Sequence, residues 1–392
     1  MFACLNERKQ MKKICYIVTI PLTIRSFFIP QLKYLSENGY DVTVICSTDA
    51  KLGVDLGENI HYIPLEIPRG LSLLGSVNAV GQLKQIFVRE QFDLIQYSTP
   101  NAAFYASIAA RAAGCRIRNY HLMGLRYLGA HGIGRMILKT LEKITCHYSS
   151  SIECVSKSNM EMGIQEGLFP REKVTVVWNG STGGVDLARF DYAKRQQWRS
   201  EVREELGYRS SDFVYGFVGR ITRDKGVNEL LEAYFSLHTD AKLFLIGRME
   251  DVQTLNAELL AKARMHPNIQ FHDFVIDIER YFAAIDVLML PSYREGFGNV
   301  VIEAGAMGTP AIVSDIPGPT DAIERDKTAL VVPVKDASAL AETMRQIQTM
   351  DYMAMGRNAA QFAKEKFDSK VLCEKIRERK RQLLGINYVD VK

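Results

Sequence analysis

Short apolar runs, each followed by a stretch of helical period, recur along almost the whole chain, and this rhythm limits its fold more than any other feature. The first series of runs lies at residues 14–18, 41–46, 60–63, 93–97, 117–121, 151–155 and 174–178. Between most of them, at 26–37, 77–90, 102–113, 134–147 and 157–167, apolar side chains return every three or four positions. Runs that are apolar throughout belong in a sheet covered on both faces, and strand-helix repeats specify parallel pairing. The segment 51–75 is punctuated by Pro64 and Pro68 and resists assignment beyond its one strand.

A polar stretch at 183–210 breaks the rhythm and is expected to cross between domains. A second series follows at 213–219, 242–246, 269–274, 286–290, 311–314 and 330–334, and after 336 only helical patterns remain, through 350, at 351–367 and at 369–384. At 392 residues the chain exceeds what one hydrophobic core usually serves. The expected fold is therefore α/β, with two doubly wound Rossmann-like domains, 1–185 and 186–365, facing a central cleft. Open sheets of this kind bind ligands beyond the C-terminal ends of their strands, so the chemistry is expected between the halves.

Composition closes off several classes. Apolar residues make up 47% and charged residues 24%, ordinary for a soluble globular chain, and a net charge of +4 is too slight for wholesale nucleic-acid binding. The seven cysteines form no CxxC pair, which points to small core residues in a reducing compartment and to no zinc site. Arg8, Lys9, Lys12 and Lys13 precede an apolar stretch ending at Pro21, too short for a membrane span and without a small-residue cleavage site. The first ten residues read as a disordered extension, with Met11 a second possible start.

The stretch 290–314, LPSYREGFGNVVIEAGAMGTPAIVS, concentrates the chemistry. A strand ends before Pro291, a loop carries Glu295, Gly296 and Gly298, and a helix is expected from Asn299 to Gly308, with Val300, Val301, Ala304 and Met307 facing inward. A glycine-flanked loop feeding a helix start presents unpaired N–H groups and the positive end of the helix dipole, which together favour an anion. Glu295 and Glu303 bracket it. Carboxylates repel phosphate but accept hydrogen bonds from sugar hydroxyls, and a sugar joined to a nucleotide by a diphosphate offers hydroxyls on both sides. Two bare glutamates would equally suit a solvated helix face.

A second motif favours the site. The strand at 213–219 ends in Gly219-Arg220, and Lys225-Gly226 follows where a helix should start. Arg220 brings a planar fork and Lys225 a mobile point charge, a pairing suited to a diphosphate. Neither a GxxxxGK[ST] loop nor a GxGxxG after either first strand is present, which weakens readings as an ATP hydrolase or a nicotinamide enzyme.

These residues, with EGFGNVVIEAGAMGTP and the alternation around them, resemble family 4 of the retaining glycosyltransferases, which have the GT-B fold. VVWNGSTGGVDLARF and TIPLTIRSFFIPQLKYLSENGYDVTVI resemble more narrowly the subgroup of bacterial capsular and exopolysaccharide synthesis. The resemblance implies transfer of a hexose or N-acetylhexosamine from a nucleotide sugar, UDP being the commonest carrier, to a polyprenyl-diphosphate-linked saccharide. It implies that Gly219, Arg220 and Lys225 hold and neutralise the donor diphosphate, that Glu303 accepts from the ribose, and that Glu295 and Gly296 with the amides of Phe297, Gly298 and Asn299 hold the sugar and its phosphate. Phe274 and Val275 are expected beside the donor, and His121 is expected to face the reacting sugar. The final segment, 366–392, is expected to pack back towards the N-terminal domain. One departure stands out: many relatives carry a glycine-rich loop after the first strand, where this chain has Thr19-Ile20-Pro21-Leu22-Thr23.

No compact acidic cluster of the DxD kind is present, so neither metal nor cofactor is expected. Between Arg111 and Lys143 seven basic residues face the lone acid Glu142, with Leu122, Met123, Leu125, Tyr127 and Leu128 interleaved. That pattern fits either a solvated basic face or one that holds the cytoplasmic side of an inner membrane and the acceptor's diphosphate. A nucleotide-sugar epimerase of the same architecture and a non-catalytic nucleotide-sugar module are the alternative functions.

Overall fold

The protein is described from a computed structural model, which covers residues 11–68 and 73–386. The expectations for the first ten residues lie outside it. Strands β1 (Lys12–Ile17), β2 (Tyr40–Cys46), β3 (Ile60–Pro64), β4 (Leu94–Ser98), β5 (Ile117–Leu122), β6 (Ser151–Cys154) and β7 (Val174–Val176) form one sheet in the order β3-β2-β1-β4-β5-β6-β7. Strands β8 (Val214–Val218), β9 (Lys242–Ile246), β10 (Ile269–His272), β11 (Val287–Leu290), β12 (Ala311–Ser314) and β13 (Ala329–Val332) form a second, ordered β10-β9-β8-β11-β12-β13. Pairing is parallel throughout both sheets.

The continuous apolar character of β1 follows from burial on both faces. Ile14 and Tyr16 pack with Leu32 and Leu35 of helix Ile29–Glu37, while Cys15 and Ile17 pack with Leu83, Phe87 and Ala106 on the opposite side. In the second lobe Tyr215 and Phe217 of β8 enter one layer and Val214 the other. Burying one such side chain contributes about 1.5–3 kcal/mol, so these layers, and not local helical propensity, hold the helices in place.

Four expectations change. The exit loop after β1 is only a few residues long, because a helix begins at Pro21, whose fixed φ suits a first turn. That helix, Pro21–Phe27, stops before Ile29–Glu37, in which Pro30 lacks the N–H needed to continue a single ladder. A short helix, Leu52–Leu56, lies in the unassigned segment, of which residues 69–72 fall outside the description. The polar stretch 183–210 also contains helix Arg195–Glu205, which belongs to the second lobe. Its inward face reads as polar because Arg199 and Arg203 reach Asp286 at 2.6 and 2.8 Å.

The chain crosses between lobes twice, side by side. The Val185 amide donates to the Phe367 carbonyl at 2.7 Å and the Ser369 amide to the Val185 carbonyl at 2.9 Å. Helix Ser369–Leu384 then buries Leu372 and Ile376 in the layer that contains Ile14 and Tyr16 of the first lobe.

Strand order locates the ligand crevices. In the first sheet the direction of winding reverses between β1 and β4, and in the second between β8 and β11. Each reversal leaves a gap between the loops that follow the two strands. The two gaps face each other across the lobe boundary.

Candidate active site

A cleft of about 770 Å³ fills that space. The first lobe contributes Ile20 after β1, Thr99 and Pro100 after β4, and Met123 to Arg126 after β5; the second contributes Arg220, Asp224 and Lys225 after β8 and Tyr293 to Gly296 after β11. Thr19 and Thr99 tie the first pair of loops, their hydroxyls 2.8 Å apart.

Arg220, Lys225, Glu295 and Gly296 therefore come together as the sequence predicts. Lys225 Nζ donates to Glu295 Oε1 at 2.5 Å, and Ser292 Oγ donates to the same oxygen at 2.8 Å. Arg220 lies more open, with Nη1 3.2 Å from Glu250 Oε2. Gly219, one residue back, donates its amide to the Ile246 carbonyl at 3.0 Å and so fixes where Arg220 leaves the sheet. Asp224 binds Arg294 at 3.1 Å and lies 3.8 Å from Arg220. Burial pushes its carboxyl up, yet the Thr222 hydroxyl and the cations of Arg294, Arg220 and Lys225 bring it below the usual value.

The lobes touch at the glutamate loop. A Cβ on Gly296 would stand 1.9 Å from the Met123 carbonyl oxygen, so only glycine admits this approach. The Gly296 carbonyl accepts from Ser156 Oγ at 2.9 Å and Asn159 Nδ2 at 2.7 Å, both at the start of helix Lys157–Gln165. Polar side chains of the first lobe thus hold the loop that carries Glu295.

Helix Asn299–Ala306 begins after Gly298, as expected. Its first amides have no acceptor within the helix and the dipole adds positive potential there. Phe297 offers only its backbone, because its ring is buried 5.3 Å from that of Phe367. The Asn299 side chain is already engaged, accepting from Ser181 Oγ of the first lobe at 2.8 Å. Glu303 does not line the main cleft; it lies partly buried further along the helix, near Arg189 and Glu279. Burial raises its carboxyl to about 7, the Arg189 cation opposing and Glu279 adding to the shift.

Three expected residues lie outside the cleft lining. His121 lies beneath the cleft: on β5 it shares a face with Asn119, paired opposite Glu153 of β6, and only 8% of it is exposed. Nε2 is 3.4 Å from Thr182 Oγ1, and burial lowers its pKa to about 4. Tyr120, one residue earlier, borders the cleft from below, but it too is buried, its hydroxyl donating to Glu142 at 2.7 Å. Phe274 and Val275 lie outside the cleft lining, since β10 ends at His272; Phe274 is exposed under the Arg248 guanidinium, and Val275 packs on the second lobe's core. Sequence reasoning passed over Asp224, Ser292 and Arg294. The charged letters inside TRDK and SYREG were the available signal.

Among the described residues no three metal-ligating side chains gather, and no helix is long and apolar enough to cross a membrane.

Two family models match the chain. One described as Glycosyltransferase Family 4 covers residues 31–187, and one described as Glycosyl transferases group 1 covers residues 199–365. The capsular polysaccharide biosynthesis glycosyltransferase CapM of Staphylococcus aureus is 27% identical over 372 residues, 93% of this chain and 96% of its own length. The UDP-Gal:alpha-D-GlcNAc-diphosphoundecaprenol alpha-1,3-galactosyltransferase of Escherichia coli is 22% identical over 86% of this chain and 87% of its own. Among solved structures, HepE of Anabaena in complex with UDP superposes with a TM-score of 0.77 at 20% identity, covering 95% of this chain and all of that one. One model on each lobe, together with twin parallel sheets that face across a cleft, establish that the chain belongs to the family 4 glycosyltransferases and has their GT-B fold.

Proposed function

We propose that this glycosyltransferase moves a hexose or N-acetylhexosamine from a UDP-linked donor to a saccharide carried on a lipid diphosphate, with retention at the anomeric carbon, in surface polysaccharide synthesis. The observation that carries the reading is the meeting of Arg220, Lys225 and Glu295 in one interlobe cleft, with Lys225 and Glu295 in contact. Two relatives support it: one is a glycosyltransferase of capsular polysaccharide biosynthesis, and the other takes UDP-galactose and a diphosphoundecaprenol-linked sugar. HepE has been solved with UDP and with UDP-glucose.

In this reading the bond between the anomeric carbon and the diphosphate breaks, and charge grows on the departing phosphate oxygens. Arg220, Lys225 and the start of helix Asn299–Ala306 stabilise that charge without having to move. An acceptor hydroxyl bonds to the anomeric carbon on the face that the diphosphate leaves, and its proton passes to a phosphate oxygen. Glu295 accepts from the transferred sugar and Glu303 from the ribose. We give His121 no role in this reading, since it lies outside the cleft lining. We assign no metal a role, because two fixed cations supply the same stabilisation. We infer that the enzyme works at the cytoplasmic face of the membrane that carries the acceptor lipid.

The test is Lys225→Ala, assayed with chelator present, a UDP-sugar panel and a lipid-diphosphate saccharide. Transfer is expected to fall about 10²–10³-fold with thermal unfolding little changed, as when one fixed donor to a developing anion is removed. A variant within threefold of wild type would overturn the assignment. Donor incubated alone separates the rival epimerase, which would release a changed free sugar.

A further inference from the structure

We propose that Arg126 and Arg294, one from each lobe, form a second anion site in the cleft that takes the diphosphate of the lipid-linked acceptor. The inference rests on the transferase reading above and names the residues for its second substrate.

Four cations line the cleft: Arg126, Arg220, Lys225 and Arg294. Arg220 and Lys225 follow β8 and serve the donor. Arg294 leaves the loop after β11 and reaches across the boundary to lie on the first lobe's turn Arg126–Gly129. A Cβ on Gly129 would stand 2.5 Å from Arg294 Nε and 2.7 Å from its Cδ, so the bare glycine makes the seat for this side chain. Arg126 belongs to the same turn, is exposed, and has one long hydrogen bond among the described residues, to Asn101 Oδ1 at 3.4 Å. Two planar guanidinium groups on one turn suit an anion with several oxygens. Asp224 Oδ2 lies 3.1 Å from Arg294 Nη2 and 3.8 Å from Arg220 Nη2, so the second site adjoins the donor cations through one shared carboxylate.

The surroundings favour a lipid diphosphate over a free one. Helix Gly132–Tyr148 starts three residues after the turn, and Ile133, Met136 and Ile137, neighbours at helical spacing, are 75%, 69% and 43% exposed. An anion held by Arg126 and Arg294 therefore adjoins the donor cations and lies beside a helix that exposes apolar side chains. That is the polarity of an amphiphile with a diphosphate head. The inner end of the head then points its sugar at the donor, and the chain runs outward over the helix.

The experiment uses the full-length protein saturated with UDP, titrated calorimetrically with farnesyl diphosphate or inorganic pyrophosphate. Farnesyl diphosphate is expected to bind without displacing UDP. Arg126→Ala and Arg294→Ala should each weaken it about tenfold, with UDP affinity unchanged within twofold, which also reports correct folding. Arg294→Lys should recover part of the loss. Pyrophosphate should bind more weakly than the farnesyl compound and show the same dependence on both arginines. Competition with UDP, or undiminished binding in both alanine variants, would overturn the site; equal affinity for pyrophosphate would overturn its assignment to a lipid. Failure of wild type to bind UDP at all would instead strike the transferase reading.

Discussion

The proposed ribose contact of Glu303 would link donor binding to pH. With its carboxyl raised to about 7, it is about one-tenth ionised at pH 6 and nine-tenths at pH 8. Hydroxyl donors bind a carboxylate more strongly than a neutral acid. A UDP-sugar, whose own diphosphate does not titrate in this range, should therefore bind about tenfold more tightly at pH 8 than at pH 6. Glu303→Gln should flatten the profile, and a flat wild-type profile in calorimetry would remove Glu303 from the ribose site. The sign for folding is opposite. The ionised group is disfavoured in the folded chain, so stability declines as pH rises from the ordinary value of 4.5 through 7. The same scale shows what the sequence could reveal. Arg220, Lys225 and Glu295 were legible because glycines and strand ends fix where they emerge. The placement of His121 was not, because at the end of a strand the letters alone do not say how far a side chain sinks below the loops.

At the scale of elements, helix Gly132–Tyr148 carries opposed faces. The sequence counts Glu142 as the lone acid among seven basic residues, but the structure turns it inward, 5% exposed, where Tyr120 Oη donates to it at 2.7 Å. Burial raises that carboxyl to about 7. The outward face thus loses its acid and keeps Arg135 and Lys139, both paired with Glu166, beside the exposed Ile133, Met136 and Ile137. Such a face should adhere to anionic bilayers. We predict co-sedimentation with vesicles containing phosphatidylglycerol at low salt, loss of it at 0.5 M salt, and weakening by more than fivefold in Ile133→Asp/Met136→Asp. Binding to neutral vesicles alone, or none at low salt, would remove the membrane role. Strands were the most legible elements, since seven and six runs of unbroken apolar character allow few alternatives. Helix Arg195–Glu205 was obscured because a buried ion pair with Asp286 replaces the apolar stripe by which helices are recognised.

At the scale of the molecule, the last helix decides how firmly the lobes are joined. Lys380, 1% exposed, places its ammonium 3.0 and 3.2 Å from the two oxygens of Glu153 and 2.5 Å from Gln96 Oε1, all within the first sheet's layer. Burial lowers the lysine below its ordinary value; on Glu153 burial works upward, but Lys380, His121 and Arg379 together bring the carboxyl below its usual value. Desolvation offsets much of what two such charges gain from each other, whereas removing one leaves the other stranded. Arg379 Nε, at 3.5 Å, is the nearest remaining cation to Glu153. Lys380→Met should therefore cost about 3–5 kcal/mol in urea unfolding and speed hydrogen exchange in residues 369–384. Replacing both partners, as Lys380→Met/Glu153→Leu, should restore most of the loss. If the single variant unfolds like wild type, Leu372 and Ile376 alone hold the helix. If the double variant is as weak as the single, the cost lies in the shape of the buried site and not in a stranded charge.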